Sequence, residues 1–168
     1  MGALAGKVAI VTGAGQGVGR CHAELLAAEG AAVVVNDLGE SADVVAAAIV
    51  ANGGRAVAQR GSVSDWAAAE ALVQRAITEF GDLHILVNNA GFIRDAMSFS
   101  MEEAPFDSVV SVHLKGHFAP AHFAAVYWRN QAKALEGTEG GLPQRRIINT
   151  TSESGLFGGP GQGNYGSA

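Results

Sequence analysis

The chain has 168 residues, 48% of them hydrophobic and only 16% charged, with a net charge of −5. That is enough chain for one domain with a sizeable core, too apolar a chain for disorder, and too acidic a one for a nucleic-acid or anionic-membrane surface. The single Cys21 excludes an internal disulfide framework and a Cys-based zinc site, and 23 glycines without a three-residue period exclude collagen.

The first strand is predicted over Lys7–Val11, and the first helix over Gly17–Glu29. Strand Ala32–Asn36 leads into helix Ser41–Asn52, and strand Arg55–Gln59 into helix Asp65–Phe80. Each β-branched run has the length of a buried strand. In the third helix Ser64 or Asp65 is the expected N-cap and Gly81 the C-cap. Its Ala68, Leu72, Val73, Ala76 and Phe80 recur at helical spacing along one face. Strand His84–Asn88 follows, then a helical segment near Met101–Ser111 and a long helix from His113 to about Leu135. A loop over Glu136–Pro143, a strand at Arg146–Thr150 and a Gly-rich stretch, Gly155–Ala168, complete the chain. This alternation predicts an α/β fold over residues 1–168, a doubly wound parallel sheet covered by helices on both faces. No apolar run is long enough to span a bilayer, and no signal-peptide pattern is present. A soluble protein of a reducing compartment, the cytoplasm, is expected.

The first chemical signal is Thr12-Gly-Ala-Gly-Gln-Gly-Val-Gly19, between the first strand and the first helix. Glycines there let the backbone turn sharply and let a pyrophosphate approach bare N–H groups at the positive end of the helix. The spacing is G-x-x-x-G-x-G over Gly13, Gly17 and Gly19, and no Gly-Lys-Ser/Thr follows, so a Walker A loop is excluded. A tight turn without a ligand is the plainer alternative. Asp37 lies at the end of the second strand, 18 residues after Gly19. A carboxylate there can accept hydrogen bonds from both ribose hydroxyls of an adenosine and repels a 2′-phosphate. No Arg or Lys stands at 36–38 or at Gln16, which favours NAD over NADP. A solvated turn Asp, or the ribose acid of a methyltransferase, would look the same. Asn88-Asn-Ala-Gly91 closes the fourth strand, and Ser152 and Tyr165 stand 13 residues apart after the fifth.

Taken in order, these motifs resemble the short-chain dehydrogenase/reductase family over essentially the whole chain. Val-Val-Asn36-Asp37-Leu-Gly and Val112-His-Leu-Lys-Gly116 are most similar to its NAD-dependent (3R)-hydroxyacyl-CoA dehydrogenase members. The resemblance implies a Rossmann-type fold and hydride transfer between a nicotinamide and a small-molecule secondary alcohol or ketone. In that reading Tyr165 is the general acid/base and Ser152 hydrogen-bonds the substrate oxygen. Gly13, Gln16, Gly17, Val18 and Gly19 hold the pyrophosphate. Asp37 and Leu38 hold the adenosine ribose, Ser62 and Val63 border adenine, and Asn89, Ala90 and Gly91 line the cofactor. A homo-oligomer is implied for the complete enzyme, formed through the helix that carries Phe118, Phe123, Tyr127 and Trp128.

Three departures stand out. Gly61-Ser62-Val63 has no Asp for adenine. His113 occupies the place of the helix Asn that props a proton-relay water, and an imidazole can still orient water. The Tyr-x-x-x-Lys motif is cut, because the chain stops at Ala168. The chain is therefore expected to be the N-terminal part of a longer enzyme, inactive by itself, with an open sheet edge at Arg146–Thr150. A non-catalytic nucleotide-binding fragment and an S-adenosylmethionine-dependent methyltransferase are the competing readings. No metal is expected at His113, His117 or His122, which lack acidic or Cys partners.

Overall fold

The structure, a computed structural model, describes residues 2–136 and 143–168. Its strands are β1 (Val8–Val11), β2 (Ala32–Asp37), β3 (Arg55–Arg60), β4 (Ile85–Asn88) and β5 (Arg146–Asn149). All pair in parallel, in the order β3-β2-β1-β4-β5. The chain builds outward from β1 to β3, then crosses back to place β4 on the other side of β1. That reversal opens a crevice at the carboxyl ends of β1 and β4, where ligands bind in such sheets.

Successive residues of a strand face opposite sides of the sheet, and the core divides accordingly. Ala9, Val11, Val33 and Val35 pack with Ala23 and Ala27 of α1 (Gly17–Ala28) and Val45 and Ile49 of α2 (Ser41–Ala51). Val8, Ile10, Val34 and Leu86 pack with Leu72, Val73 and Ala76 of α3 (Trp66–Phe80). The expected face of α3 shifts by one residue at its start: Ala69 is fully buried and Ala68 is not. Ala68 stands where its N–H, not its methyl, is used. That N–H donates to the Asp65 cap at 2.7 Å. Gly81 closes the helix in the left-handed region with φ 84°.

The two helices expected on either side of Val112 are one rod. α4 (Glu103–Val110) runs into a π-helical turn over Ser111–Lys115 and on into α5 (Gly116–Ala134). The backbone stays right-handed helical through Val110, Ser111, Lys115 and Gly116. Pro120, buried inside α5, explains the widening nearby. It has no N–H to offer Gly116, and its ring crowds that carbonyl.

β5 differs from the buried strand that its length suggested. It pairs with β4 alone among the described residues, and Ile147 and Ile148 are 41% and 49% exposed. This is the open edge expected there. The Gly-rich stretch forms two short helices, α6 (Ser154–Phe157) and α7 (Gly163–Ser167). Of the expected loop Glu136–Pro143, residues 137–142 lie outside the described ones.

At the opposite end of the sheet a polar cluster fastens α5 to β4. Asp82 Oδ1 accepts from Tyr127 Oη at 2.9 Å, from Arg145 Nη1 at 2.7 Å and from Leu83 N at 2.7 Å. The Leu83 carbonyl accepts from Trp128 Nε1 at 2.7 Å and from Arg145. His84 Nδ1 accepts from Val8 N at 3.1 Å, while Nε2 faces Asp82 at 3.3 Å.

Candidate active site

The crevice is braced by Thr12, buried at the end of β1. Its Oγ1 accepts from Asn89 N at 2.9 Å and from Ala90 N at 3.0 Å, and donates to Val87 O at 3.3 Å. Asn89 returns the tie, its Nδ2 donating to Thr12 O at 3.0 Å and Gly13 O at 3.3 Å. So the turn after β1 is bound to the turn after β4.

Two glycines are dictated by this closeness. A Cβ on Gly13, whose φ is +61°, would lie 2.7 Å from Ala90 Cα. A Cβ on Gly19 would lie 2.2 Å from Gly13 O. With only hydrogens there, α1 starts directly over the end of β1. Gln16, the residue before α1, is extended and its side chain caps nothing. The first N–H groups of the helix are left for an incoming anion.

Asp37 is set by backbone donors. Gly15 N reaches Oδ2 at 2.8 Å and Leu38 N reaches Oδ1 at 2.7 Å. A cavity of about 160 Å³ opens beside it. Gly13 and Gln16 line it from the first turn, Asp37 and Leu38 from the end of β2, Ser62 and Val63 from the end of β3, and Ala90 and Gly91 from the end of β4. The sequence reading missed Asn36, Gly61, Phe92 and Val112, which also line it. Asn36 was legible as a buried polar residue in an apolar strand; its Nδ2 ties Gln59 O and Gly61 O at 2.9 and 3.1 Å. Gly17, Val18 and Gly19 line neither this cavity nor the next. Val18 is 62% exposed at the head of α1, and Gly19 serves packing.

A second cavity, about 220 Å³, adjoins the first and shares Gly91 and Phe92 with it. It collects Asn89, His113 and Tyr165 from the expected set, and His117, Thr150 and Ile93 besides. The π-helical turn aims His113 here. Its ring lies so close to Gly91 that a Cβ there would meet Cε1 at 2.2 Å, and it meets the Tyr165 ring edge-on at 4.9 Å between centroids. His113 Nε2 is 2.7 Å from Phe92 O and 3.0 Å from Phe92 N. One nitrogen cannot donate to the first and accept from the second at once. With Nε2 unprotonated the ring accepts from Phe92 N and Nδ1 carries the proton; with Nε2 protonated it donates to Phe92 O and Nδ1 is the acceptor. One turn further, His117 Nε2 donates to Ala90 O at 3.3 Å. Burial pushes the His117 imidazole below its usual range, against the pull of the Ala90 bond, and His113 lowers it further.

Tyr165 is held by its neighbour. The buried Asn164 donates through Nδ2 to Arg94 O at 2.9 Å and accepts from Tyr165 N at 2.8 Å. Ser152 is not brought into either cavity. Its Oγ accepts from Ser154 N at 3.2 Å, at the start of α6, which leaves the hydroxyl proton uncommitted. His117 and Thr150 carried a weak signal, as the residue one turn from His113 and the residue closing β5.

Among the described residues no group of three or more His, Cys, Asp or Glu is arranged to hold a metal, and no helix is long and apolar enough to cross a membrane.

Known proteins share this arrangement. The hydroxyacyl-CoA dehydrogenase ChsB1 of Mycobacterium tuberculosis is 46% identical over 98% of this chain and 53% of its own length. The peroxisomal hydratase-dehydrogenase-epimerase of Neurospora crassa is 40% identical over 97% of this chain and 18% of its own. A crystal structure of a short chain dehydrogenase from Mycobacterium avium superimposes with a TM-score of 0.94 at 49% identity, covering 99% of this chain and 61% of that one. The chain thus spans about half the length of the first relative, and a smaller part of the second. The short chain dehydrogenase family model matches residues 7–168, from the first strand through Tyr165, and with the shared crevice this places the chain in the short chain dehydrogenase family.

Proposed function

We propose that this chain is the cofactor-binding half, and carries the catalytic Tyr, of an NAD-dependent oxidoreductase acting on a secondary alcohol or ketone, with a 3-hydroxyacyl thioester as the favoured substrate. The observation that carries this reading is the adjacency of the two cavities: one holds the ribose acid Asp37, the other Tyr165 and His113, and they share Gly91 and Phe92 in their walls. The name of the mycobacterial relative supports the thioester.

The residues present fit a dinucleotide. The space over Gly13 and Gly19 is closed to any Cβ, and the start of α1 has no acidic residue in its first turn to oppose a pyrophosphate. Asp37 presents a carboxylate already oriented by two backbone N–H groups, and it favours ribose hydroxyls over a 2′-phosphate. When bound, a nicotinamide supplies or accepts the hydride. The protein's part is proton and charge handling. Tyr165 takes the hydroxyl proton during oxidation and returns it during reduction. Ser152 has a free hydroxyl proton but lines neither cavity, so its hydrogen bond to the same oxygen as charge develops requires a substrate that extends past Tyr165 to it. His113, packed against the Tyr165 ring, is positioned to orient a water that passes the Tyr165 proton outward. Cytoplasmic location is the reading that the lone, exposed Cys21 supports. Self-association is supported by the exposed aromatic face of α5, where Trp66 lies 6.2 Å from the exposed Phe118 ring.

The test is equilibrium titration of the chain with NADH, NADPH and S-adenosylmethionine. Binding of NADH at least about tenfold tighter than NADPH is expected, with no response to the third. Equal or tighter NADPH binding overturns the NAD reading. Binding of S-adenosylmethionine alone overturns the oxidoreductase reading.

A further inference from the structure

The adenosine end of the groove has a cation beside it that the spacing of the sequence conceals. Arg60 closes β3 and is the register partner of Asp37 on β2. Neighbouring strands run about 4.8 Å apart, and side-by-side partners of a parallel pair project to the same face of the sheet. Yet the two side chains do not pair. Asp37 spends both oxygens on Gly15 N and Leu38 N. Arg60 turns toward α2 instead, where its Nε donates to Asp43 Oδ2 at 2.6 Å and its Nη1 lies 3.6 Å from Glu40 Oε1. Glu40 directly follows Leu38-Gly39, whose Leu38 borders the cavity, and Asp43 lies in the first turn of α2.

These ion pairs are exposed, with about half of the Arg60 and Asp43 side chains in water. Exposed pairs contribute little, and salt screens them. A 2′-phosphate is a stronger partner for a guanidinium than either carboxylate, because it offers a bidentate, doubly charged acceptor. The arrangement therefore matters most when a phosphate arrives next to Asp37.

We propose that Asp43 and Glu40 are specificity-determining residues: by holding Arg60 against α2 they withhold from a 2′-phosphate the guanidinium that stands in register with Asp37. The preference for NAD then has two sources, repulsion by Asp37 and sequestration of Arg60. This rests on the dinucleotide reading above.

The experiment measures dissociation constants for NADH and NADPH on the intact chain by fluorescence titration at low and at high salt. Four proteins are compared: the parent, Glu40→Gln/Asp43→Asn, Arg60→Ala, and the three changes together. All three positions are on the surface, so the variants fold, and NADH affinity reports an intact site in each. The double variant is expected to lower the ratio of the NADPH to the NADH constant by about fivefold at low salt, through tighter NADPH binding. That gain shrinks at high salt. Adding Arg60→Ala returns the ratio to within about twofold of the parent, because the gain acts through the guanidinium. An unchanged ratio in the double variant overturns the proposal. So does a gain that survives Arg60→Ala, which would trace it to the loss of two negative charges. A parent that binds neither dinucleotide sinks the cofactor reading itself, a distinct result.

Discussion

Thr12 Oγ1 holds two turns of the crevice together with a single atom, and a substitution there isolates that contribution. Thr12→Val keeps the volume but removes the acceptor from Asn89 N and Ala90 N. Both N–H groups lie in a half-buried turn, so the loss is expected to be about 2 kcal/mol in urea unfolding. Thr12→Ser keeps the oxygen and should recover most of it. A Thr12→Val variant as stable as the parent, with the loss confined to Thr12→Ser, would mean that the methyl group, not the oxygen, is what matters. At this scale the legible residues were those whose type is unusual for their place. Glycines in a row, an acid closing an apolar strand and Asn88-Asn89 all stand out against an apolar background. Phe92 reaches the cavities only because the backbone passes there, and nothing in its type or spacing announces it; His117 and Thr150 were signalled only weakly, by helical spacing and by the end of a strand. Arg60 was illegible for another reason. It is 23 residues from Asp37 in the chain and adjacent only through strand pairing.

Elements whose ends are fixed by local chemistry were read closely. α3 begins at an Asp that accepts the Ala68 N–H and ends at a left-handed Gly, and both signals lie in the sequence. Asp65→Ala is expected to cost about 1 kcal/mol in stability, with Asp65→Asn costing clearly less, since Asn also caps. Matching unfolding midpoints for the alanine variant and the parent would show that the cap is energetically idle. The parallel strands were legible from their β-branched runs. The π-helical turn was not, because widening a helix by one residue leaves no hydrophobic period to detect. Pro120 was the available hint, since a proline inside a helix demands a distortion nearby. The exposure of β5 was likewise invisible in its own four residues, because Ile147 and Ile148 read as core in any strand.

Across the whole molecule, the cluster that pins α5 to the far end of the sheet makes stability depend on pH at both extremes. Burial pushes His84 below its usual range, against the attraction of Asp82, and its Nδ1 is committed as an acceptor for Val8 N. The unfolded chain therefore takes up that proton first, and stability falls as pH drops below about 6.5. Burial raises Asp82, but hydrogen bonds from Arg145, Leu83 N and Tyr127 outweigh it and hold the carboxyl low. A second loss follows below about 3.9 as that carboxylate is protonated. Tyr127 is pushed up to about 12 by burial and by its bond to Asp82. An unfolded Tyr releases its proton near 10, so stability falls again over about pH 10 to 12. Urea midpoints measured from pH 4 to 11 should show a plateau between about 7 and 10. Tyr127→Phe should flatten the alkaline limb and leave the His84 limb in place. Identical alkaline limbs in parent and variant would remove Tyr127 from this account.

The wide turn at Ser111–Lys115 has a consequence for the count of residues as well as their kind. A regular helix advances about 100° per residue. Within the turn, Val112 and His113 line the two cavities; beyond it, Ala119 and Ala124 are fully buried, Ala124 in the core that packs against the sheet. The turn sets the angular phase between these two faces. Losing one residue there would let the rod become uniform, but one half would have to rotate about the axis relative to the other. Either the imidazole would swing away from Gly91 or the alanines would leave their seats. The segment should tolerate many changes of residue type and no change of length, so that the groove and the core stay geared to each other through one irregular turn.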